Sequence, residues 1–387
     1  MSVTALDQEE LIRSEKLTQI IIDRIRNSPI GALPFGDFME LALYQPQYGY
    51  YCAAPQIIGQ GGDYVTAPQI GSIFADALAY KISQCFSDFD GPKNILEFGA
   101  GNGTLAFQIL SKMTQLGCEV DAYDIMEVSP VLEAVQRRKI ETLPPDLAHK
   151  VRWHQRLPSS GIQAVVIANE VVDAMPVELF LAQESQVLQG YVIETENGLA
   201  TEFREDTMAD FSSSFNAIDF SDVAFPYSSE LHCRAAAWMR TLAQTIAYGS
   251  LIIVDYGFAQ SEYYHRDRIG GTLMCHRRHR PSADPLAYIG CQDITAHVNF
   301  SSIASIAVDG GMQVNGFASL GAFLLDTGVF LNPPEFDSDA AKAKYLHEVK
   351  VLTSPAEMGE LFKVIELTKN FDSTILGFET APRNHTL

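Results

Sequence analysis

The chain has 387 residues, 47% hydrophobic and 10% aromatic, enough for one large α/β domain with additions or for two domains. Its net charge of −21 argues against nucleic acid, whose binders set lysine and arginine against phosphate, and it favours cationic partners. No apolar run approaches the roughly 20 residues that span a bilayer, and six scattered cysteines without a C-x-x-C pair read as reduced thiols of a cytoplasmic protein.

Residues 6–27 place Leu11, Ile12, Leu17, Ile20, Ile21 and Ile25 on one helical face, with Asp7, Glu9, Glu10 and Glu15 interspersed. That is the pattern of neither a signal peptide nor an acid-poor transit sequence. Asp37 is expected to cap a short helix over 38–44. Residues 44–51 carry Tyr44, Tyr48, Tyr50 and Tyr51 and read as an aromatic satellite core or a ligand-facing lid. The Gly- and Thr-containing run over 61–69 is either a strap over a pocket or an ordinary loop, and a helix is expected over 70–86.

Ile95, Leu96 and Phe98 form a short buried strand, interrupted by Glu97 near its end. Gly99, Gly101 and Gly103 follow at every second position, and a helix begins at Thr104. Glycines there let the backbone turn sharply and approach a ligand without a Cβ in the way. A dinucleotide turn would read G-x-G-x-x-G, and a phosphate would be repelled by Glu97, which suits an amino group instead. The E-x-G-x-G-x-G form resembles motif I of class I S-adenosylmethionine-dependent methyltransferases. A nucleotide turn and a purely structural turn are the alternatives.

The next strand, over 119–126, ends at Glu127, with Ser129 and Pro130 set to start a helix. Glu127 can accept from both hydroxyls of a ribose, and Val128 can pack on an adenine face; an acid at a strand end for solubility is the alternative. After a short third strand over 151–153, a fourth, almost wholly apolar strand over 162–168 leads to Asn169, Glu170 and Asp173. Glu170 and Asp173 would share one face of a helical turn, where paired carboxylates hold a guanidinium or accept protons; helix capping is the alternative. Alternation from 183 to 206 predicts an inserted β-meander, 206–227 a loop, 229–248 a long helix and 250–257 a strand that brings Asp255 to the same rim. His276, Arg277, Arg278, His279 and Arg280 form the one basic knot, read as a surface loop tied to nearby acids, with nucleic-acid contact as the alternative. Histidines and cysteines show no metal-type spacing, so no metal is expected. Two closing strands are expected over 362–367 and 375–378.

Six segments then occur in a telling order: Gly-Asp-Tyr-Val-Thr-Ala-Pro (62–68), Leu-Glu-Phe-Gly-Ala-Gly-Asn-Gly-Thr-Leu (96–105), Met-Glu-Val-Ser-Pro (126–130), Ala-Asn-Glu-Val-Val-Asp-Ala-Met-Pro-Val (168–177), Val-Asp-Tyr-Gly (254–257) and Asp-Ile-Thr-Ala-His-Val-Asn-Phe (293–300). Together they resemble the MidA family, relatives of a mitochondrial complex I assembly factor that is a protein arginine methyltransferase. The resemblance implies a Rossmann-like class I methyltransferase: a seven-stranded mixed α/β sheet with a helical cap and strap over 1–90. The core would take 91–180 and 229–387, with the meander and loop inserted over 181–228. It implies S-adenosyl-L-methionine as cofactor, with Glu97, Gly99, Gly101 and Gly103 around its methionine part. Glu127 and Val128 would hold its nucleoside, and Thr66 and Pro68 would close the strap. Asn169, Glu170 and Asp173 would face the acceptor. The implied partner is a protein bearing an arginine, such as a respiratory-complex subunit, dimethylated symmetrically, with room for a homodimer and with neither nucleic acid nor a membrane span. A small-molecule N- or O-methyltransferase and a cofactor-binding assembly chaperone are the other readings. Two positions depart from the family pattern: Gln69 stands for a glutamate and Met274 for an arginine.

Overall fold

The computed structural model describes residues 6–53, 66–158, 161–205, 209–221 and 223–387. The chain divides into two compact units. One comprises Met1–Tyr64, Asp173–Ala237 and Gln260–His297; the other comprises Val65–Val172, Trp238–Ala259 and Val298–Leu387.

The second unit is built on seven strands: β1 (Asn94–Phe98), β2 (Ala122–Met126), β3 (Val151–His154), β4 (Ile162–Asn169), β5 (Ile246–Phe258), β6 (Gln313–Ser319) and β7 (Phe362–Lys369). Their order is β6-β7-β5-β4-β1-β2-β3, and β7 alone runs against the rest. β4 is almost entirely buried, as its unbroken apolar run predicts for a central parallel strand. One hydrophobic core joins Ile95, Tyr123, Val165, Ile167, Ile252 and Val254 of the sheet to the helices Ile73–Ser87 and Thr104–Gln115.

The helix expected over 70–86 is broken. Ala67–Ile70 and Ile73–Ser87 are separate, because the Glu348 carboxylate fills the space a Cβ on Gly71 would need and accepts from the Ile73 N–H at 2.7 Å. The last expected strand is not formed either. Phe378 instead plugs against Gly316 and the Phe323 ring, and Gly377 bends the chain with φ +93°.

The first unit carries the meander, Glu178–Ala182, Val187–Thr195 and Gly198–Arg204, antiparallel throughout. Tyr227–Leu231 adds to it against Glu178–Ala182, so the helix expected over 229–248 is really strand, then helix Cys233–Thr245, then β5. Within 206–227, expected to be loop, Ala209–Asn216 is helical; Phe211, Phe215, Phe220 and Phe180 gather there as one aromatic cluster. Helix Gln8–Asn27 buries Leu17, Ile21 and Ile25, and Phe35–Tyr44 packs in the same apolar cluster. Asp37 does not cap that second helix: the N-cap is Pro34, and Asp37 pairs with Arg234. The basic knot is tied to an acid as expected, by Glu10 to Arg277 (2.6 Å) and Arg278 (3.2 Å), but it is an antiparallel strand pair, Met274–Arg277 with Arg280–Ser282, and not a surface loop.

Candidate active site

Three neighbouring strands of the second unit stop at one level. Phe98, the last residue of β1, pairs with Met126 at the end of β2 and with Ala168 near the end of β4. Gly99, Glu127 and Asn169 therefore leave the sheet side by side, across about 10 Å. Between β1 and β4 the chain order reverses, which is where open α/β sheets bind ligands.

The glycine turn is bent as its spacing requires. Gly99 (φ +59°) and Gly103 (φ +80°) are left-handed. A Cβ on Gly103 would stand 3.2 Å from Gln136 Cα, and one on Gly99 would stand 3.1 Å from Val171 Cγ2. Helix Thr104–Gln115 follows, with Gly103 as an N-cap that has no side chain; Asn102 Oδ1 accepts from the Thr104 N–H at 3.1 Å instead.

Glu127 is 5% exposed. Its Oε1 accepts from the Ser129 N–H and its Oε2 from Gln136 Nε2, each at 2.8 Å. Burial raises its pKa above the ordinary carboxylate value, and these two bonds pull the other way. Gln136 also donates to Gly101 O at 3.0 Å and accepts from Trp153 Nε1 at 3.0 Å, so it clamps the glycine turn to the acid. The sequence reading passed Gln136 over. Its signal was an amide in the apolar row Leu132, Gln136, Ile140, where a buried polar group needs a partner. Val128, next to Glu127, is 64% exposed.

Glu97 lies inside β1, fully enclosed, and accepts from Tyr123 Oη at 2.8 Å. Burial pushes its pKa up to about 8; the Tyr123 bond lowers it, and the nearby Glu127 charge raises it further. Burial thus favours its protonated form, and a cation beside it would favour the charged form.

At the end of β4, Glu170 has a left-handed backbone (φ +51°), its N–H bonded to Val254 O at 2.9 Å. Asn169 Nδ2 donates to Glu170 Oε1 at 3.4 Å, while the buried Asn169 Oδ1 has no hydrogen-bond partner among the described residues. The expected helical turn joining Glu170 to Asp173 is absent. The Val172 N–H goes to Asp255 Oδ2 (3.0 Å) and the Asp173 carbonyl accepts from the Ala296 N–H (3.0 Å), so no helical ladder starts. Asp255, expected on the rim, is fully buried and accepts from the Val172 and Tyr256 N–H groups. It buttresses the turn from beneath.

Of the proposed strap, residues 54–65 lie outside the described set. Thr66 is half-buried and Pro68 buried. Gln108, on the helix after the glycine turn, donates to Pro68 O (3.2 Å) and Gly71 O (2.9 Å) and so ties this segment to the turn. Gln69 Oε1 is buried with no partner among the described residues, and Met274 pairs with Thr295. The sheet thus gathers Glu97, Gly99, Gly101, Gly103, Glu127, Val128, Asn169 and Glu170; Asp173 follows as the first residue of the other unit's middle segment.

A sheet of this order with one reversed strand, a glycine turn after β1 and an acid after β2 defines a class I methyltransferase. Residues 77–318 match the family described as "Putative S-adenosyl-L-methionine-dependent methyltransferase", and the chain belongs to this MidA-type family. A crystal structure from Burkholderia thailandensis, bound to S-adenosyl-homocysteine, is 38% identical with a TM-score of 0.93 and covers 100% of both chains. The Drosophila melanogaster "Protein arginine methyltransferase NDUFAF7 homolog, mitochondrial" is 27% identical, over 87% of this chain and 82% of its own. The human "Protein arginine methyltransferase NDUFAF7, mitochondrial" is 25% identical, over 87% of this chain and 80% of its own.

S-adenosylmethionine is the cofactor, and the residues suit it. A Cβ at Gly99 or Gly103 would crowd Val171 or Gln136 and so disturb the turn. Glu127 keeps lone pairs for two ribose hydroxyls after its two bonds, and exposed Val128 offers an apolar face to adenine.

Proposed function

We propose that this protein methylates arginine side chains of a protein substrate. The observation that carries the reading is the Asn169–Glu170 turn. A glutamate held left-handed at a strand end stores strain, and such strain persists where function requires the side chain's placement. The named arginine methyltransferases among the relatives support the same choice of acceptor.

The bound cofactor supplies an activated methyl group; the chain supplies alignment. Glu127 and Val128 hold the nucleoside, and the glycine turn with Glu97 takes the amino-acid end. Thr66 and Pro68 close over it. Glu170 holds the guanidinium through its N–H fork, with Asn169 Oδ1 as a further acceptor, and aims one nitrogen for in-line attack. Respiratory-complex subunits are the substrates to try first.

Calorimetric titration with S-adenosylmethionine tests the cofactor half. Glu127→Ala is expected to weaken binding about 100-fold, the loss of two hydrogen bonds to a charged group. Glu170→Gln is expected to keep that affinity while methyl transfer to arginine peptides drops. Unchanged transfer by Glu170→Gln removes Glu170 from the mechanism.

A further inference from the structure

Gln136 lies on helix Pro130–Ile140 of the second compact unit and is fully buried. Three groups of the same unit meet its amide. Nε2 donates to Glu127 Oε2 at 2.8 Å and to Gly101 O at 3.0 Å, and Oε1 accepts from Trp153 Nε1 at 3.0 Å. An indole N–H only donates, and a carbonyl and a carboxylate only accept, so the partners fix which way the amide faces. Both amide hydrogens are used within the chain, and none is left for a ligand. What Gln136 can do is place the groups that do have lone pairs to offer.

The surroundings stiffen this arrangement. The helix starts at Ser129, whose N–H donates to Glu127 Oε1 at 2.8 Å and whose Oγ accepts from the Leu132 N–H at 3.3 Å. Glu127 is therefore held from two places on one helix, its start and its second turn. A Cβ at Gly103 would come within 3.2 Å of Gln136 Cα, so the glycine turn packs directly on this residue. Trp153 is fixed as well. The Arg137 guanidinium lies over its ring at 4.1 Å and pairs with Glu133 at 2.7 Å. Displacing the Glu127 carboxylate would pull on Gln136, and displacing Gln136 would pull on Gly101.

We propose that Gln136 couples the two ends of the cofactor site: a nucleoside on Glu127 sets the glycine turn for the amino-acid end, and the amino-acid end sets Glu127 for the nucleoside. This rests on the seats read above, ribose on Glu127 and amino acid on the glycine turn. Gln136 is a positioning residue, and the coupling it carries is reciprocal, as linkage requires. An apolar side chain of the same size would fill the space yet leave Glu127 and Gly101 to move independently. The charged groups bearing on the amide are Glu127, Glu133 and Arg137 on its own helix, Glu97 in β1, and the pair Asp124–His154 on β2 and β3.

Two measurements on the full chain test the proposal, both reading displacement or binding of tritiated S-adenosylhomocysteine. In the first, adenosine displaces it with and without saturating methionine. Methionine is expected to tighten adenosine about 5-fold or more in wild type and to have no effect in Gln136→Met, which is also expected to bind S-adenosylhomocysteine about 10-fold more weakly, the loss of one hydrogen bond to a charged group. In the second, Gln136→Glu is titrated across pH, with thermal melting followed alongside. Protonated, the new carboxyl keeps one O–H donor for Glu127 or Gly101; ionised, it has none and faces the charge of Glu127. Its affinity is expected to fall as pH rises while wild type stays level and the variant remains folded. A wild type whose adenosine affinity ignores methionine overturns the proposal, as does a Gln136→Met that keeps the methionine effect or a Gln136→Glu whose affinity does not change with pH. Glu127→Ala separates the two readings. If it keeps wild-type adenosine affinity, the ribose seat is wrong and the coupling falls with it; if it loses adenosine while Gln136→Met keeps the methionine effect, the seat stands and the coupling alone fails.

Discussion

Glu170 and Glu97 each combine a carboxyl with a position that costs stability. At Glu170 the cost is its left-handed backbone (φ +51°), which glycine would adopt freely. Glu170→Gly is therefore expected to keep or raise thermal stability, by up to about 1 kcal/mol, while methyl transfer falls; a variant of lower stability and full activity contradicts this. At Glu97 the cost is burial. A carboxyl whose pKa rises to about 8 on folding binds its proton more tightly when folded, so its contribution is full below the ordinary value and is lost as pH rises through about 8. Melting curves across that range should show wild type losing stability toward alkaline pH relative to Glu97→Gln, by an amount on the order of a few kcal/mol. A flat difference would show that Glu97 ionises freely.

Among elements, the end of the chain is secured by polar groups rather than by strand pairing. Lys81, on helix Ile73–Ser87, and Glu366, on β7, form a fully buried pair at 2.8 Å. Lys81 also donates to Thr374 O (2.6 Å), and Ser373 Oγ donates to Glu366 at 2.9 Å, so residues 373–374 are bound to the sheet through side chains. Lys81→Met leaves Glu366 buried without its cation and is expected to cost about 3–5 kcal/mol, read as a drop in denaturation midpoint. The double variant with Glu366→Leu is expected to recover much of that loss; failure to recover would assign the loss to packing. Neither partner is legible as a pair in the sequence, where they stand 285 positions apart (366 − 81). The same holds for Glu348, which ends one helix and starts another from a distant segment.

For the molecule as a whole, the net charge of −21 sets a long-range field that draws cations. Association of a basic arginine peptide is expected to slow steeply as salt rises, while S-adenosylmethionine affinity changes little, because the Debye length shrinks from about 10 Å at 0.1 M to about 3 Å at 1 M. Rates by stopped flow would check it, and salt-independent association would remove charge steering. The amino-acid sequence by itself determined the class of fold, the glycine turn with Glu97, the acid at Glu127 and the polar ends Asn169 and Glu170. Those signals are local, because backbone freedom at Gly99 and Gly103, and apolar runs such as β4, act over a few residues. Only the tertiary structure decided that Asp255 is a buried support, that 170–173 is no helix, and that Gln136 and Gln108 tie the turn to its neighbours. Each depends on a hydrogen-bond partner distant in sequence, and a single chain read in order carries no record of which buried polar groups meet.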